Sequence, residues 1–345
     1  MSDTAEYFQT IGRKMHERLG NHAEPAVVFA DIATAVLHEV PAPRIDVVAM
    51  ADWLTEQRPL PRQVNFASGF GQPPLVVFET PGFYIEVLFW FPSRTSIHGH
   101  AFTGAFRVLD GYSVQVEYTY EETSAPEEAV RYGRVVPVSI EMIEQGRICP
   151  ILGEDEFIHT VAHMGHPSLT LVARTYGMKD AQQFTYYRCG FAHLSYVHKQ
   201  AAARQAEVLG SLFRARPETF VDRLIDFLAV SDSVTFFKIL SEMPARLTLP
   251  VFSTTVMPRI RERFGQSRPM ELAALDETIA SDGLWGMVGF IKEPRKQLLL
   301  ALSELFPDQK DRDALIRRSF KVDNAGPVLE EWLAIAEKSA EAKFV

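Results

Sequence analysis

The chain has 345 residues, 47% of them hydrophobic, enough to build a core in each of about two domains. Its two cysteines, Cys149 and Cys189, lie outside any CxxC pair, which excludes a disulfide framework, a zinc ribbon or an iron–sulfur cluster as the organising principle and fits a reducing cytoplasm. Lys and Arg number 35 against 44 Asp and Glu, a formal net charge of -9 with no dense basic run, so nucleic acid is not an expected partner.

The first twenty residues carry Asp3, Glu6, Arg13, Lys14, Glu17 and Arg18 where a secretory signal would need an apolar stretch. The most apolar window, Gly82 to Pro92, is about half of the ~20 residues a bilayer span requires, and Glu86 interrupts it. A soluble, cytoplasmic protein without a membrane partner is expected. Residues 1–62 read as a helical arm: Phe8, Ile11 and Met15 recur at helical spacing, and Val27, Ala30, Ile32 and Val36 continue the pattern. From 63 to 199 the period becomes strand-like, in runs at 75–79, 83–91, 104–111, 112–121, 134–143, 157–163, 169–177 and 184–190 separated by turn signals. Strands without intervening helices imply an antiparallel sandwich or barrel. Residues 200–345 turn helical again, with Phe220, Leu224 and Phe227 sharing a face after Pro217, and Leu329, Trp332, Leu333 and Ala336 patterned after a Gly-Pro start. The tail holds no nucleotide loop, no HExxH and no helix-turn-helix, so no nucleotide or flavin is expected. Its anticipated role is to dock on the sandwich and close it or pair it into a homodimer. The fold class is therefore α+β, with an N-terminal helical arm and a C-terminal all-helical domain around a β-barrel.

Chemistry concentrates in the β-region. In SIHGH, side chains alternate faces, so His98 and His100 point the same way and can chelate one ion. His159 and His163 share a face on a later strand. A third imidazole from that strand completes a facial set on a first-row metal and leaves positions open for a substrate and O₂.

The surroundings of these histidines make the pattern specific. HGHAFTGAFRVLDG reads H-x-H-x3-G-x6-G and resembles the first motif of the cupin superfamily, with Gly104 where many cupins have a metal-binding glutamate. The second motif is looser: Gly146, Pro150 and Gly153 precede His159, and His163 takes the place of an asparagine. The resemblance implies a cupin-type barrel holding one metal ion per chain through His98, His100 and His159, with His163 as a hydrogen-bond partner behind them or toward substrate. Three-histidine cupins of this pattern resemble the thiol dioxygenases, which use Fe(II) and O₂; His159 to Tyr176 is also similar to theirs. On the next strand Val172, Arg174 and Tyr176 stand where those enzymes have serine, histidine and tyrosine, so only the tyrosine is kept. Arg62 is a candidate for an arginine those enzymes carry earlier in the chain. Cys149 and Cys189 are away from the Gly104 position of their crosslinking cysteine and read as buried thiols.

A metal held by three neutral imidazoles keeps its full positive charge and favours anionic chelators. The function expected is thus a mononuclear non-haem Fe(II)-dependent dioxygenase acting on a metal-chelating anionic small molecule, a thiol among the options, with Tyr176 and Arg174 orienting the substrate. Tyr84 and Glu86 alternate with Phe83, Ile85 and Val87; they line the cavity, where Glu86 brings a carboxylate to the metal or acts as a base, or they form an exposed rim pair. The rival expectations are an O₂-independent, metal-dependent cupin isomerase or lyase and a non-catalytic small-molecule-binding cupin.

Overall fold

The computed structural model describes residues 2–22, 24–57, 59–64, 70–164, 167–178 and 181–341. Three helices open the chain: α1 (Asp3–Leu19), α2 (Pro25–Glu39) and α3 (Val47–Glu56). Ser2 caps α1 by accepting from the Ala5 amide, and Asp46 caps α3 by accepting from Val48 and Ala49, so orphan N–H groups at both helix starts are satisfied. Phe8, Ile11, Met15 and Leu19 form the buried stripe of α1. On α2 the stripe is Phe29, Ala30, Ala33, Val36 and Leu37. Val27, expected in that stripe, is 71% exposed: it stands in the first turn at the margin of the stripe, short of the part that is covered.

Among the described residues twelve strands follow: β1 (Pro74–Glu79), β2 (Phe83–Trp90), β3 (Ser93–Arg94), β4 (Ile97–His100), β5 (Gly104–Asp110), β6 (Tyr112–Glu127), β7 (Val130–Glu144), β8 (Ile148–Ile151), β9 (Glu154–His163), β10 (Ser168–Thr175), β11 (Phe184–Tyr186) and β12 (Phe191–Leu194). The remainder is helical: α4 (Lys199–Ala215), α5 (Pro217–Ala229), α6 (Ser233–Leu247), α7 (Leu249–Val251), a π-helical stretch (Phe252–Val256), α8 (Met257–Phe264), α9 (Pro269–Val288), α10 (Pro294–Leu305), α11 (Gln309–Phe320) and α12 (Gly326–Glu341). No described helix is long and apolar enough to cross a membrane.

The chain forms two compact units that do not follow the three segments 1–62, 63–199 and 200–345. The first comprises residues 1–119, 137–182 and 285–345; the second comprises 120–136 and 183–284. The first unit therefore contains the helical arm, most of the strands and the last helices of the tail.

In the first unit an antiparallel sheet runs in the order β1-β2-β10-β5-β8. Against it lies a second antiparallel array in which β9 pairs with β3 and β4 on one edge and β6 on the other. Strand alternation sorts the first sheet cleanly. Phe83, Ile85, Val87, Ala105, Leu109, Leu169, Leu171 and Ala173 pack beneath α1–α3. Leu88, Phe106, Val108, Cys149, Ile151 and Val172 meet Ile143 and Val161 of the second array in the interior. This closed, double-sheet antiparallel β-structure, flanked by helices, is a cupin-type barrel in an α+β fold. Arg107, an outward-facing charge, is accommodated because Nη1 donates to Tyr7 Oη at 2.9 Å and to the Val40 carbonyl at 2.8 Å. The last helices are tied to the same unit by the Arg94–Glu304 ion pair (3.1 Å) and by Ser319 Oγ accepting from the Ile140 amide.

In the second unit β12 joins β11 to β7, and Val130 and Phe191 pack with Phe220, Leu224, Phe236, Phe237 and Leu240 of the helices. His193, whose Nδ1 donates to the Leu194 carbonyl, is buried here, whereas Cys189, expected to be a buried thiol, is only half-buried.

Candidate metal centre

The local chain explains how His98 and His100 reach one point. His98 pairs with His159, but His100 pairs with Glu154, so β9 carries a bulge between these pairs. Glu154 adopts φ 54, and a Cβ on Gly99 would strike its carbonyl oxygen. Gly99 is thus the residue that admits the bulge beside the two histidines.

His98, His100 and His159 each offer one ring nitrogen, and these atoms lie within 4.8 Å of one another; among the described residues no other group of three or more His, Cys, Asp or Glu side chains comes together in this way. The three ring centroids form a near-equilateral triangle of 4.8, 4.8 and 5.0 Å. Every Nδ1–H is committed: His98 donates to the Ser96 carbonyl at 2.8 Å, His100 to the Phe157 carbonyl at 3.2 Å and His159 to Gln115 Oε1 at 3.2 Å. The tautomer is thereby fixed, and three Nε2 lone pairs are left for one ion. Burial supports the same state. It pushes His98 down to about 4 and His100 and His159 well below the ordinary histidine value, so all three rings are neutral near pH 7. Buried, neutral and convergent imidazoles fit a borderline divalent metal such as iron. Phe70 packs at 4.8 Å from His98, Phe102 at 5.1 Å from His100 and Phe157 at 4.4 Å from His159, an aromatic collar around the triad.

Gly104 has a steric reason for being glycine. A Cβ there would drive into the Ala173 carbonyl and the Arg174 Cα, both main-chain atoms of β10. No carboxylate can occupy that position with the strands as they are.

The face of β2 that lines the interior is now defined. Tyr84 (1% exposed) and Glu86 (3%) point inward, so the exposed-rim reading is corrected: alternation along β2 turns Phe83, Ile85 and Val87 toward the helices instead. Glu86 does not join the histidine cluster. It faces Arg174, Oε1 to Nη1 at 3.5 Å, while Glu86 Oε2 and Arg174 Nε are both buried without a partner. Burial raises the Glu86 carboxyl above its ordinary value, although Arg174 opposes this. The Arg174 guanidinium lies over the Phe102 ring at 3.3 Å.

Tyr176 falls just beyond β10, and its hydroxyl is engaged away from the histidines, donating to Glu79 Oε1 at 2.7 Å and lying 3.1 Å from the Thr80 carbonyl. Arg62 binds the same Glu79 at 2.6 Å and Tyr176 Oη at 3.3 Å, so both residues belong to one cluster at the end of β1. His163 is on the inward face, stacked on Trp90 at 4.0 Å and bonded through Nδ1 to Ser113 Oγ; burial lowers it to about 3. Its Nε2 is buried without a partner. Cys149 is a buried thiol raised to about 12.

Sequence reasoning passed over buried Gln115 and the half-buried Glu117 and Glu141 beside it. The signal was present in Y-S-V-Q-V-E, where Ser113, Gln115 and Glu117 alternate with valines: a polar set on one face of a strand buried on both faces.

A barrel of two antiparallel sheets with three histidines converging inside it defines the class by fold and site: a cupin-type barrel with metal-ligating geometry. No protein-family model and no curated protein matches the chain. Among solved structures it is similar to hydroquinone 1,2-dioxygenase PnpCD in complex with Cd2+ and 4-hydroxybenzonitrile, at 17% identity and TM-score 0.23 over 30% of this chain and 63% of that one. It is also similar to a cupin-2 domain protein from Shewanella frigidimarina NCIMB 400 (12%, TM-score 0.23, 38% and 95%). A third likeness is to the DMSP lyases RdDddP and RnDddQII (16%, TM-score 0.29, 54% and 100%). The chain spans under two thirds of the length of the first of these structures.

Proposed function

We propose that the chain is a mononuclear non-haem Fe(II)-dependent dioxygenase acting on a metal-chelating anionic small molecule, possession of a thiolate being one way to meet that description. The observation carrying this reading is the set of three neutral imidazoles with Nδ1 tied down and Nε2 turned to a common point. His98, His100 and His159 would hold the ion. When bound, Fe(II) in such a site supplies positive charge for an anionic chelator and a place for O₂ beside it.

The protein's own part is binding and orientation. Arg174, loosely paired and with an unpartnered Nε, offers guanidinium donors to a second anionic group of the substrate. Glu86, raised by burial, holds a proton more readily than an ordinary carboxyl and can present it to that group. Tyr84, Phe102, Phe157 and Phe70 exclude water from the same space. Tyr176 then acts at a distance, bracing Glu79 and Arg62 rather than touching the reacting atoms.

The test is metal content and O₂ uptake of protein prepared anaerobically with Fe(II). Near-stoichiometric iron in the wild type, lost in His98→Ala and His159→Ala, together with O₂ consumption on thiols or catechol-like chelators and a raised KM in Arg174→Leu, is the expected result. Turnover without O₂ uptake would replace the reading by an isomerase or lyase. No iron after reconstitution would leave a ligand-binding barrel.

A further inference from the structure

The three imidazoles are not held alike. His98 and His100 give Nδ1–H to main-chain carbonyls, which no substitution removes. His159 gives Nδ1–H to a side chain, Gln115, which is 1% exposed and stands on β6 in the strand pairing beside β9. The other end of that amide is also occupied. Gln115 Nε2 donates to Glu117 Oε1 at 3.3 Å and to Glu141 Oε1 at 3.4 Å. Glu141 is in turn gripped by Arg147 through Nη2 at 2.9 Å and Nε at 3.2 Å.

This arrangement removes the ambiguity an amide normally has. Turned end for end, Gln115 would set its oxygen against two carboxyl groups and its NH₂ against an imidazole N–H, losing its hydrogen bonds at both ends. The acid pair therefore fixes the amide, and the amide fixes the imidazole. A glutamate at this position would still accept from His159 but would have nothing to donate to Glu117 and Glu141; a leucine would do neither.

Resting on the metal-binding reading above, we propose that Gln115 is a positioning residue of the metal centre: held by Glu117 and Glu141, it keeps His159 in the Nδ1–H tautomer with Nε2 aimed at the ion. His159 is thus the ligand whose donor strength the protein tunes through a side chain, whereas His98 and His100 are set by backbone alone.

Three measurements test this. In metal-free wild-type protein, long-range ¹⁵N–¹H NMR of the His159 ring is expected to show Nδ1 protonated and Nε2 bare; the opposite pattern, or averaging between the two, overturns the proposal without reference to any metal. In Gln115→Leu, Co(II) affinity measured by chelator competition should fall about 10- to 100-fold and the single tautomer should be lost. Gln115→Glu should restore the Nδ1–H tautomer, which separates hydrogen bonding from packing. Wild-type affinity and tautomer in Gln115→Leu would overturn the proposal, as would a Gln115→Glu variant indistinguishable from it. Failure of the wild type to bind Co(II) at all would overturn the metal reading itself, a result visible separately from the tautomer of His159.

Discussion

Along β2, Phe83, Ile85 and Val87 point to the helices while Tyr84, Glu86, Leu88 and Trp90 point into the barrel, and β10 repeats the division with Leu171 and Ala173 against Val172 and Arg174. The two faces are built from the same strands and are similarly buried, yet they differ in how much polar chemistry they carry. The helix-side face is nearly all apolar; its charge, Arg107, has Nη1 bonded to Tyr7 and Val40 while Nε is buried without a partner. The interior face leaves Glu86 Oε2, Arg174 Nε and His163 Nε2 without partners. Burial of polar groups is costly unless they are paired, so the interior face, which gathers unpartnered atoms of Glu86, Arg174 and His163, is where a bound ligand would find the most to bond to.

This contrast can be broken by substitution. The largest effect belongs to the helix-side face: Phe83→Ala should cost about 3–5 kcal/mol in denaturant unfolding, while Co(II) affinity of the folded protein stays at the wild-type value. A parallel fall in affinity would show that the faces are not separable. Gly104→Ala comes next. Its methyl meets main-chain atoms of β10, so a loss of about 1–3 kcal/mol is expected, accompanied by weaker substrate binding as Arg174 is displaced. Unchanged stability would mean that β10 yields freely and that the glycine is not sterically required.

The smallest effect is graded by pH. His163 in the barrel, lowered to about 3, and His193 in the second unit, lowered to about 4, are both neutral when folded. Above the ordinary histidine value they are neutral in folded and unfolded chains alike and contribute nothing to pH dependence. As pH falls below about 6.5 the unfolded chain takes up protons that the folded one refuses, and stability drops by up to about 1.4 kcal/mol per pH unit for each. His163→Gln should flatten this slope in metal-free protein by one proton's worth; an unaltered slope would place the proton uptake elsewhere.

Much of the architecture was legible as pattern. Period-2 alternation located β1, β2, β5, β9 and β10 to within a residue or a few, and the pairing of His98 with His100 on one face needed only the pleat. The far end of β6 was not legible, because its exposed residues carry no hydrophobic alternation to read. Val27 fitted a helical stripe by spacing and is solvent-exposed, since a period fixes which residues share a face but not how far along the helix that face is covered. Tyr176 fitted a family position, but β10 ends at Thr175 and Glu79 captures the hydroxyl.

What the sequence determined by itself was the inventory: strands of a barrel between helical segments, and two histidines locked on one face by the two-residue repeat of a strand. Tertiary structure decided the rest, because it depends on which strands become neighbours. The bulge between β4 and β9 brought His159 to His98 and His100, the close approach of β10 removed any side chain at Gly104, and the pairing of β6 with β9 put Gln115 against His159. Alternation is a local property of one strand; register is a property of pairs, set by distant residues and their packing.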